Sequence, residues 1–300
     1  MQYGLLTPGL FDPDPRIQPL PKAYETEAEE RGTLHHITYR IGDGTGKDAL
    51  VYTPFGYDAA RPYDIFYMMH GGGGNYHTCL GDPDGIFRRL LDHLIMEKKL
   101  RPILVVTPTF YPADDTDTSP EHSGELVRAV PDELIHYLMP AVESRFSTYA
   151  ETADREGFQA SRAHRAFGGF SMGSVTTWEV FMHCPDCFSV FLPMSGDSWV
   201  KGRLGGGTDP EGTADAITKA VQAQGAPEFF ICAMTGSNDI AYPNLKPQML
   251  ALAKRSETFI SDPGAEGNLR FSVHEGAYHC YEAIWEDLYF ALPLLWPVKE

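Results

Sequence analysis

The sequence predicts an α/β protein with a mostly parallel central sheet and helices on both faces. Three observations carry this. Short dense apolar runs recur along the chain, segments of helical period lie between them, and 300 residues suffice for such a sheet as one unit. Residues 1–33 come first, with Pro8, Pro13, Pro15, Pro19 and Pro21 ahead of a charged stretch, and are expected to form an irregular arm. Residues 34–300 are expected to form one domain. Within it, 34–40 and 48–53 alternate like a hairpin around the glycines of 42–46. The dense runs 64–69, 102–107, 165–169, 189–194, 228–234 and 269–274 are what strands buried on both faces require. Between them, 86–98 repeats Ile86, Phe87, Leu90, Leu91, Leu94 and Ile95 at helical spacing. Residues 125–146 do so less regularly, interrupted by Pro131 and Pro140, and 172–184, 214–224 and 281–295 complete the helices. Two long loops, 109–123 and 196–213, are of the length that often serves as a binding loop or lid.

Composition narrows the function classes. Apolar residues make up 43% of the chain and the formal net charge is −17, which disfavours nucleic acid and anionic membranes as partners. No apolar run is long enough to cross a bilayer. Residues 1–30 lack a charged segment followed by an apolar stretch, so the expected compartment is the cytoplasm, or the exterior with a leader already removed. Five cysteines imply no disulfide framework. Cys184 and Cys187 are spaced as C-x-x-C but close a helix and lack a second ligand pair, so they read as ordinary thiols.

The sharpest chemical feature is Gly169-Phe170-Ser171-Met172-Gly173, between an expected strand and an expected helix. A serine on such a tight turn points its hydroxyl out of the sheet, and the helix behind it aims free amides and a positive dipole end at the reacting centre. Its hydroxyl needs a base. In a G-x-S-x-G hydrolase the partners follow in the order Ser, Asp, His. His279 lies past the last expected strand, with His274 as the rival inside that strand. Asp239, in Thr235-Gly236-Ser237-Asn238-Asp239, follows the preceding strand; Asp197 and Asp262 are its rivals. An oxyanion needs fixed N–H donors. The backbone of Met172 is one candidate. The other is Gly72 in His70-Gly71-Gly72-Gly73-Gly74, with Gly71 and Gly73 as rivals. The same glycine run without the P-loop lysine and Ser/Thr does not read as a phosphate cradle. Trp199 and Tyr242, close to strand ends, are candidates for substrate binding, and Tyr76 and Trp285 are weaker ones. Asp114, Asp115 and Asp117 read as a solvated acidic loop rather than a cation site, and neither metal nor cofactor is expected.

These stretches resemble carbohydrate esterase family 1, and most closely the feruloyl esterase modules attached to bacterial xylanases. The resemblance runs from about Leu34 to the C-terminus. It rests on 67–73, 105–110 and 168–173, together with Pro193-Met194-Ser195-Gly196-Asp197-Ser198-Trp199, 235–242 and 276–279. It implies the α/β-hydrolase fold and the triad above, and favours Asp239 over Asp197. Ser174 stands where these modules often carry a second glycine, and Cys280-Tyr281 where an aromatic pair is common. The implied activity is hydrolysis of hydroxycinnamoyl esters of cell-wall sugars, or of related small esters, through an acyl-enzyme. An acetyl xylan esterase or S-acyl thioesterase on the same fold is the alternative, and a non-catalytic binding protein a more distant one. The expected partner is a small-molecule or polysaccharide-linked ester; the sequence does not fix the oligomeric state.

Overall fold

The computed structural model describes residues 7–298 apart from 114, 226, 264 and 265. The dense apolar runs become the buried centre of a nine-stranded sheet: β4 (Asp64–Met69), β5 (Ile103–Thr107), β6 (Arg165–Phe170), β7 (Val190–Met194), β8 (Phe230–Gly236) and β9 (Leu269–His274). The hairpin of β2 (Thr33–Arg40) and β3 (Gly46–Thr53) adds antiparallel to the β5 edge. At the other edge β1 (Gly9–Phe11) runs parallel to β9, with Gly9 opposite Arg270. The order is β1-β9-β8-β7-β6-β4-β5-β3-β2.

The segment expected to be wholly irregular therefore supplies a strand. Its anchor is electrostatic: the buried Asp14 carboxylate pairs with Arg270, accepts the Ser272 hydroxyl at 2.8 Å and takes Arg16 Nε at 2.8 Å. Those contacts hold Asp14 ionised, below its ordinary range, against the opposing cost of burial.

Helices α1 (Ile86–Met96), α2 (Pro120–Val127), α3 (Val130–Glu133), α4 (Met139–Glu143) and α5 (Arg155–Ala160) precede the serine turn. After it come α6 (Met172–His183), α7 (Gly205–Thr208), α8 (Pro210–Ala223), α9 (Tyr242–Ala253) and α10 (Tyr281–Leu295). The expected helix over 125–146 is divided into α2, α3, a π-helical turn (Leu134–Leu138) and α4. Pro131 sits in the first turn of α3, where a missing N–H breaks no ladder bond, whereas Pro140 follows directly on the π-helical turn inside a continuous helical run. α9 has no counterpart in the sequence reading; Pro243 opens it and Pro247 lies inside it.

One face of the sheet is covered by α1 and α10 through Phe87, Leu90, Leu94, Ile284, Leu288 and Leu292. The other is covered by α2–α4, α6, α8 and α9 through residues such as Val127, Val175, Trp178, Ile217 and Leu245. After β4 the chain moves outward to β5 and then returns to the far side of β4 as β6. Such a reversal opens a crevice at the carboxyl ends of the strands, where ligands of open α/β sheets bind. Both the glycine loop after β4 and the serine turn after β6 open onto it. Among the described residues no helix is long and apolar enough to cross a membrane.

Candidate active site

The serine turn is strained where the motif demands it. Ser171 has φ 55° and ψ −114°, a left-handed backbone that a non-glycine residue adopts at a cost of about 1–3 kcal/mol. Its amide donates to the Met194 carbonyl at 3.0 Å, and its carbonyl accepts from Ser174 and Val175 in the first turn of α6. The flanking glycines permit close approach. A Cβ on Gly169 would lie 2.5 Å from the Gly173 carbonyl oxygen, and one on Gly173 only 2.3 Å from that of Met69.

His279 and Asp239 arrive on two neighbouring loops laced to each other. Asn238 N–H donates to the Ala277 carbonyl at 3.0 Å, Ser237 N–H to that of His274 at 2.9 Å, and Gly276 N–H to Ser237 Oγ at 2.7 Å. The result is a continuous relay. His279 Nδ1 lies 2.7 Å from Asp239 Oδ1, and His279 Nε2 lies 2.9 Å from Ser171 Oγ. With the proton on Nδ1, the imidazole donates to the carboxylate and accepts from the serine hydroxyl. Asp239 is buried, and its Oδ1 also accepts the Ala241 amide at 2.7 Å, which fixes the carboxylate plane.

The rivals have other partners. His274 pairs with Asp287 at 3.2 Å, a contact that raises its pKa, and faces Glu286. Asp197 accepts the Gly206 amide at 2.9 Å; burial raises its pKa, and it lies in the pocket wall without reaching His279. Asp262 is exposed ahead of β9, at the opposite end of the strand from the His279 loop.

The glycine loop sorts its own candidates. Gly71 N–H donates to the Tyr281 hydroxyl at 2.9 Å, and Gly73 N–H to the Tyr111 hydroxyl at 3.2 Å. Gly72 and Met172 meet at the pocket wall beside Ser171, and a Cβ on Gly72 would lie 3.3 Å from Met172 Cγ. As the first residue of α6, Met172 has no carbonyl one turn back to receive its amide. Both residues thus border the pocket next to the hydroxyl. The loop is set by His70, whose Nδ1–H donates to the Gly71 carbonyl at 2.7 Å while Nε2 accepts from Thr109 at 2.8 Å. Burial brings the His70 pKa down to about 4, so the ring is neutral at pH 7.

A pocket of about 350 Å³ opens from Ser171 and His279, within the range of small-molecule sites. The two long loops furnish much of its wall, through Thr118, Pro120 and Ser123 on one side and Trp199, Arg203 and Leu204 on the other. Trp199 lies against Gly124, where even a Cβ would approach the indole to 3.2 Å. Arg203 and Glu121 bridge the two loops at 2.9 Å. Tyr242, expected to bind substrate, is not among the lining residues. Its hydroxyl donates to Asp12 at 2.8 Å and accepts from Lys246 at 2.7 Å, holding the N-terminal arm. Ile240, Ala241 and Asn244 take the wall position instead. Tyr76 stacks on His36 and lies tilted against His77, and Trp285 is buried against Phe87.

Asp115 and Asp117 accept backbone amides of their own loop, and Asp115 also holds His122; Asp114 lies outside the described residues. Among the described residues no cluster of His, Cys, Asp and Glu has the arrangement of a metal site. Cys184 and Cys187 are unpaired thiols whose pKa values burial raises.

The sequence reading named Ser174 without a role and missed Trp178; both donate to the Gly196 carbonyl, at 2.7 and 3.1 Å, and so pin the start of the Trp199 loop. It also missed the hydroxyls of Tyr111 and Tyr281. The one signal for Tyr281 is its place two residues after His279.

No protein-family model matches the chain. Over 280 residues it is 38% identical to endo-1,4-beta-xylanase Y of Acetivibrio thermocellus, covering 93% of this chain and 24% of that protein. With endo-1,4-beta-xylanase/feruloyl esterase of Xylanibacter ruminicola it shares 25% identity over 222 residues, 66% of this chain and 27% of that protein. The chain thus spans about a quarter of the length of these curated relatives. Among solved structures, a feruloyl esterase module from Clostridium thermocellum, a serine-to-alanine variant bound to sinapinate, superposes with a TM-score of 0.81 at 38% identity, covering 92% of each chain. A ferulic acid esterase of carbohydrate esterase family 1 from Anaeromyces mucronatus shares the fold, with a TM-score of 0.67 at 21% identity over 91% of this chain and 95% of that one. The strained serine turn, the laced acid and histidine loops and this likeness along nearly the whole chain agree: the protein belongs to the family of feruloyl esterase modules represented by that of Clostridium thermocellum, on the α/β-hydrolase fold.

Proposed function

We propose that this protein hydrolyses hydroxycinnamoyl esters, of the feruloyl type, carried by plant cell-wall sugars. The observation that carries the reading is the unbroken relay from Asp239 through His279 to Ser171, opening into a pocket walled by Trp199. In the first step Ser171 Oγ attacks the ester carbonyl as its proton passes to His279 Nε2. Negative charge develops on the carbonyl oxygen, where the amides of Gly72 and Met172 receive it. The imidazolium, stabilised by Asp239, then protonates the departing alkoxide and leaves an acyl-serine. In the second step the imidazole takes a proton from water, hydroxide character attacks the acyl carbon, and Ser171 is regenerated with release of the acid. Asp239 holds the productive tautomer throughout.

The acyl assignment draws on two further facts. The module from Clostridium thermocellum was solved with sinapinate, and the Anaeromyces mucronatus esterase with ferulic acid. In this chain the indole of Trp199 lines the pocket, and an aromatic ring stacked on it would gain about 0.5–1.5 kcal/mol beyond its burial. The test is a substrate panel of methyl ferulate, methyl sinapate, chlorogenate, acetylated xylan and short p-nitrophenyl esters. A kcat/KM highest on a hydroxycinnamate is expected; fastest turnover of acetylated xylan would overturn the acyl assignment.

A further inference from the structure

An ester has two halves, and the pocket beside Trp199 accommodates one of them. On the other face of the glycine loop lies a second depression of about 460 Å³, over the α1 and α10 side of the sheet. Its wall includes Asn75, His77, Asp82, Asp84, Tyr281 and Glu282. The glycine loop is the partition: Gly72 and Gly73 face the first pocket, and Asn75 and His77 the second. The depression is one ring from the reacting centre. The Phe170 ring sits 4.6 Å from that of His279 and 4.8 Å from that of Tyr281, whose hydroxyl holds the Gly71 amide next to the oxyanion glycine.

We propose that this depression is the subsite for the alcohol half of the ester, and that it takes a glycosyl residue. The proposal rests on the feruloyl esterase reading above and names where that reading's sugar lies. Acyl and alkoxy groups diverge from the ester carbonyl, so an acyl group beside Trp199 directs the alkoxy oxygen away from that pocket, along the edge of His279 that must protonate it. The lining suits a polyhydroxylated ring. Asp84 and Glu282 are exposed, and neither is in an ion pair among the described residues; Glu282 also takes the Cys280 thiol, and each carboxylate keeps lone pairs for hydroxyl protons. The Asn75 and His77 side chains add neutral polar groups, and the edge of the Tyr281 ring supplies apolar surface for C–H groups. A flat, wholly apolar or strongly basic cleft would suit a lipid or a phosphorylated alcohol instead.

The experiment compares two esters of the same acid, methyl ferulate and a feruloylated arabinoxylan trisaccharide, on the unaltered enzyme and on the Asp84→Ala/Glu282→Ala double variant. Both substituted residues are exposed and outside the catalytic relay. The variant should lose about tenfold in kcat/KM on the trisaccharide ester, the scale of two weak, solvent-exposed hydrogen bonds, while methyl ferulate stays within about twofold. Inhibition of methyl ferulate hydrolysis by the unesterified trisaccharide should weaken in parallel. His77→Trp, which narrows the depression from a second side, should reproduce the discrimination. Equal losses on the two esters, or no loss on either, overturn the subsite while leaving the esterase reading standing. Failure of the unaltered enzyme to turn over methyl ferulate would overturn the esterase reading itself and the subsite with it.

Discussion

The two sides of Ser171 are built differently. On one side the groups that do chemistry stand at strand ends and are tied to the sheet or to each other within one or two residues. Ser171 hangs from Met194, the Asp239 loop is stitched to the His279 loop, and the glycine loop is held by His70, Tyr111 and Tyr281. On the other side, the pocket wall comes largely from loops 109–123 and 196–213, which meet each other through Trp199 on Gly124 and the exposed Arg203–Glu121 pair. Reaction geometry is thus set largely by strand ends, and the shape offered to the acyl group by two loops, of which 109–123 also steadies the glycine loop through Thr109 and Tyr111. Substitutions on the first side should therefore lower turnover of every ester, and those on the second should change which ester is preferred.

The largest expected effect is on the first side. Ser171→Ala should lower kcat by about 10⁴-fold or more on every ester with folding intact, as read by steady-state kinetics with circular dichroism. Asp239→Asn should follow, at about 10³–10⁴-fold in kcat, because an amide favours the wrong imidazole tautomer. Asp197→Asn should cost far less, since Asp197 holds Gly206 and not His279. A larger loss from Asp197→Asn would reverse the assignment of the acid.

What was legible in the sequence divides along the same line. The serine turn, Asp239 and His279, and the pocket-wall position of Gly72, were readable because each lies within a few residues of a buried strand, and strand ends are marked locally by dense apolar runs. Trp199 was readable for the same reason. Tyr242 was not. It was placed by its distance from Asp239, but the chain enters α9 there, and the turn presents Ile240, Ala241 and Asn244 to the pocket while sending Tyr242 to Asp12 and Lys246. The strand β1 was hidden for a different reason. A three-residue strand carries no periodicity, and its partner Arg270 is more than 250 residues away. α9 was masked by Pro243 and Pro247, residues that locally argue against a helix.

On the second side, Trp199→Ala should lower kcat/KM on methyl ferulate about tenfold while leaving p-nitrophenyl acetate within about threefold. Equal losses on both esters would mean that Trp199 supports the fold rather than the acyl group. Gly124→Val, which pushes on the indole without deleting it, should act in the same direction as Trp199→Ala.

The smallest effect is on stability and belongs to the scaffold. In the folded state burial holds the His70 pKa at about 4, against an ordinary value of 6.5. Between those values the unfolded chain binds more protons than the folded one. Stability therefore falls as pH drops through that window, by up to about 3 kcal/mol from this group. Above about pH 6.5 the contribution is flat. In urea melts, His70→Asn should show a shallower acid decline than the unaltered chain. An unchanged slope would mean that His70 does not titrate as buried.

The central claim is that a hydroxycinnamoyl group passes through a covalent bond to one serine. Rapid acid quench of the enzyme with excess methyl ferulate, followed by peptide mapping by mass spectrometry, reads this directly. The account predicts a feruloyl increment on the peptide carrying Ser171, formed in the first turnover and missing in Ser171→Ala. Turnover of methyl ferulate with the increment on another residue, or with no acyl-enzyme in an otherwise competent quench, would contradict it.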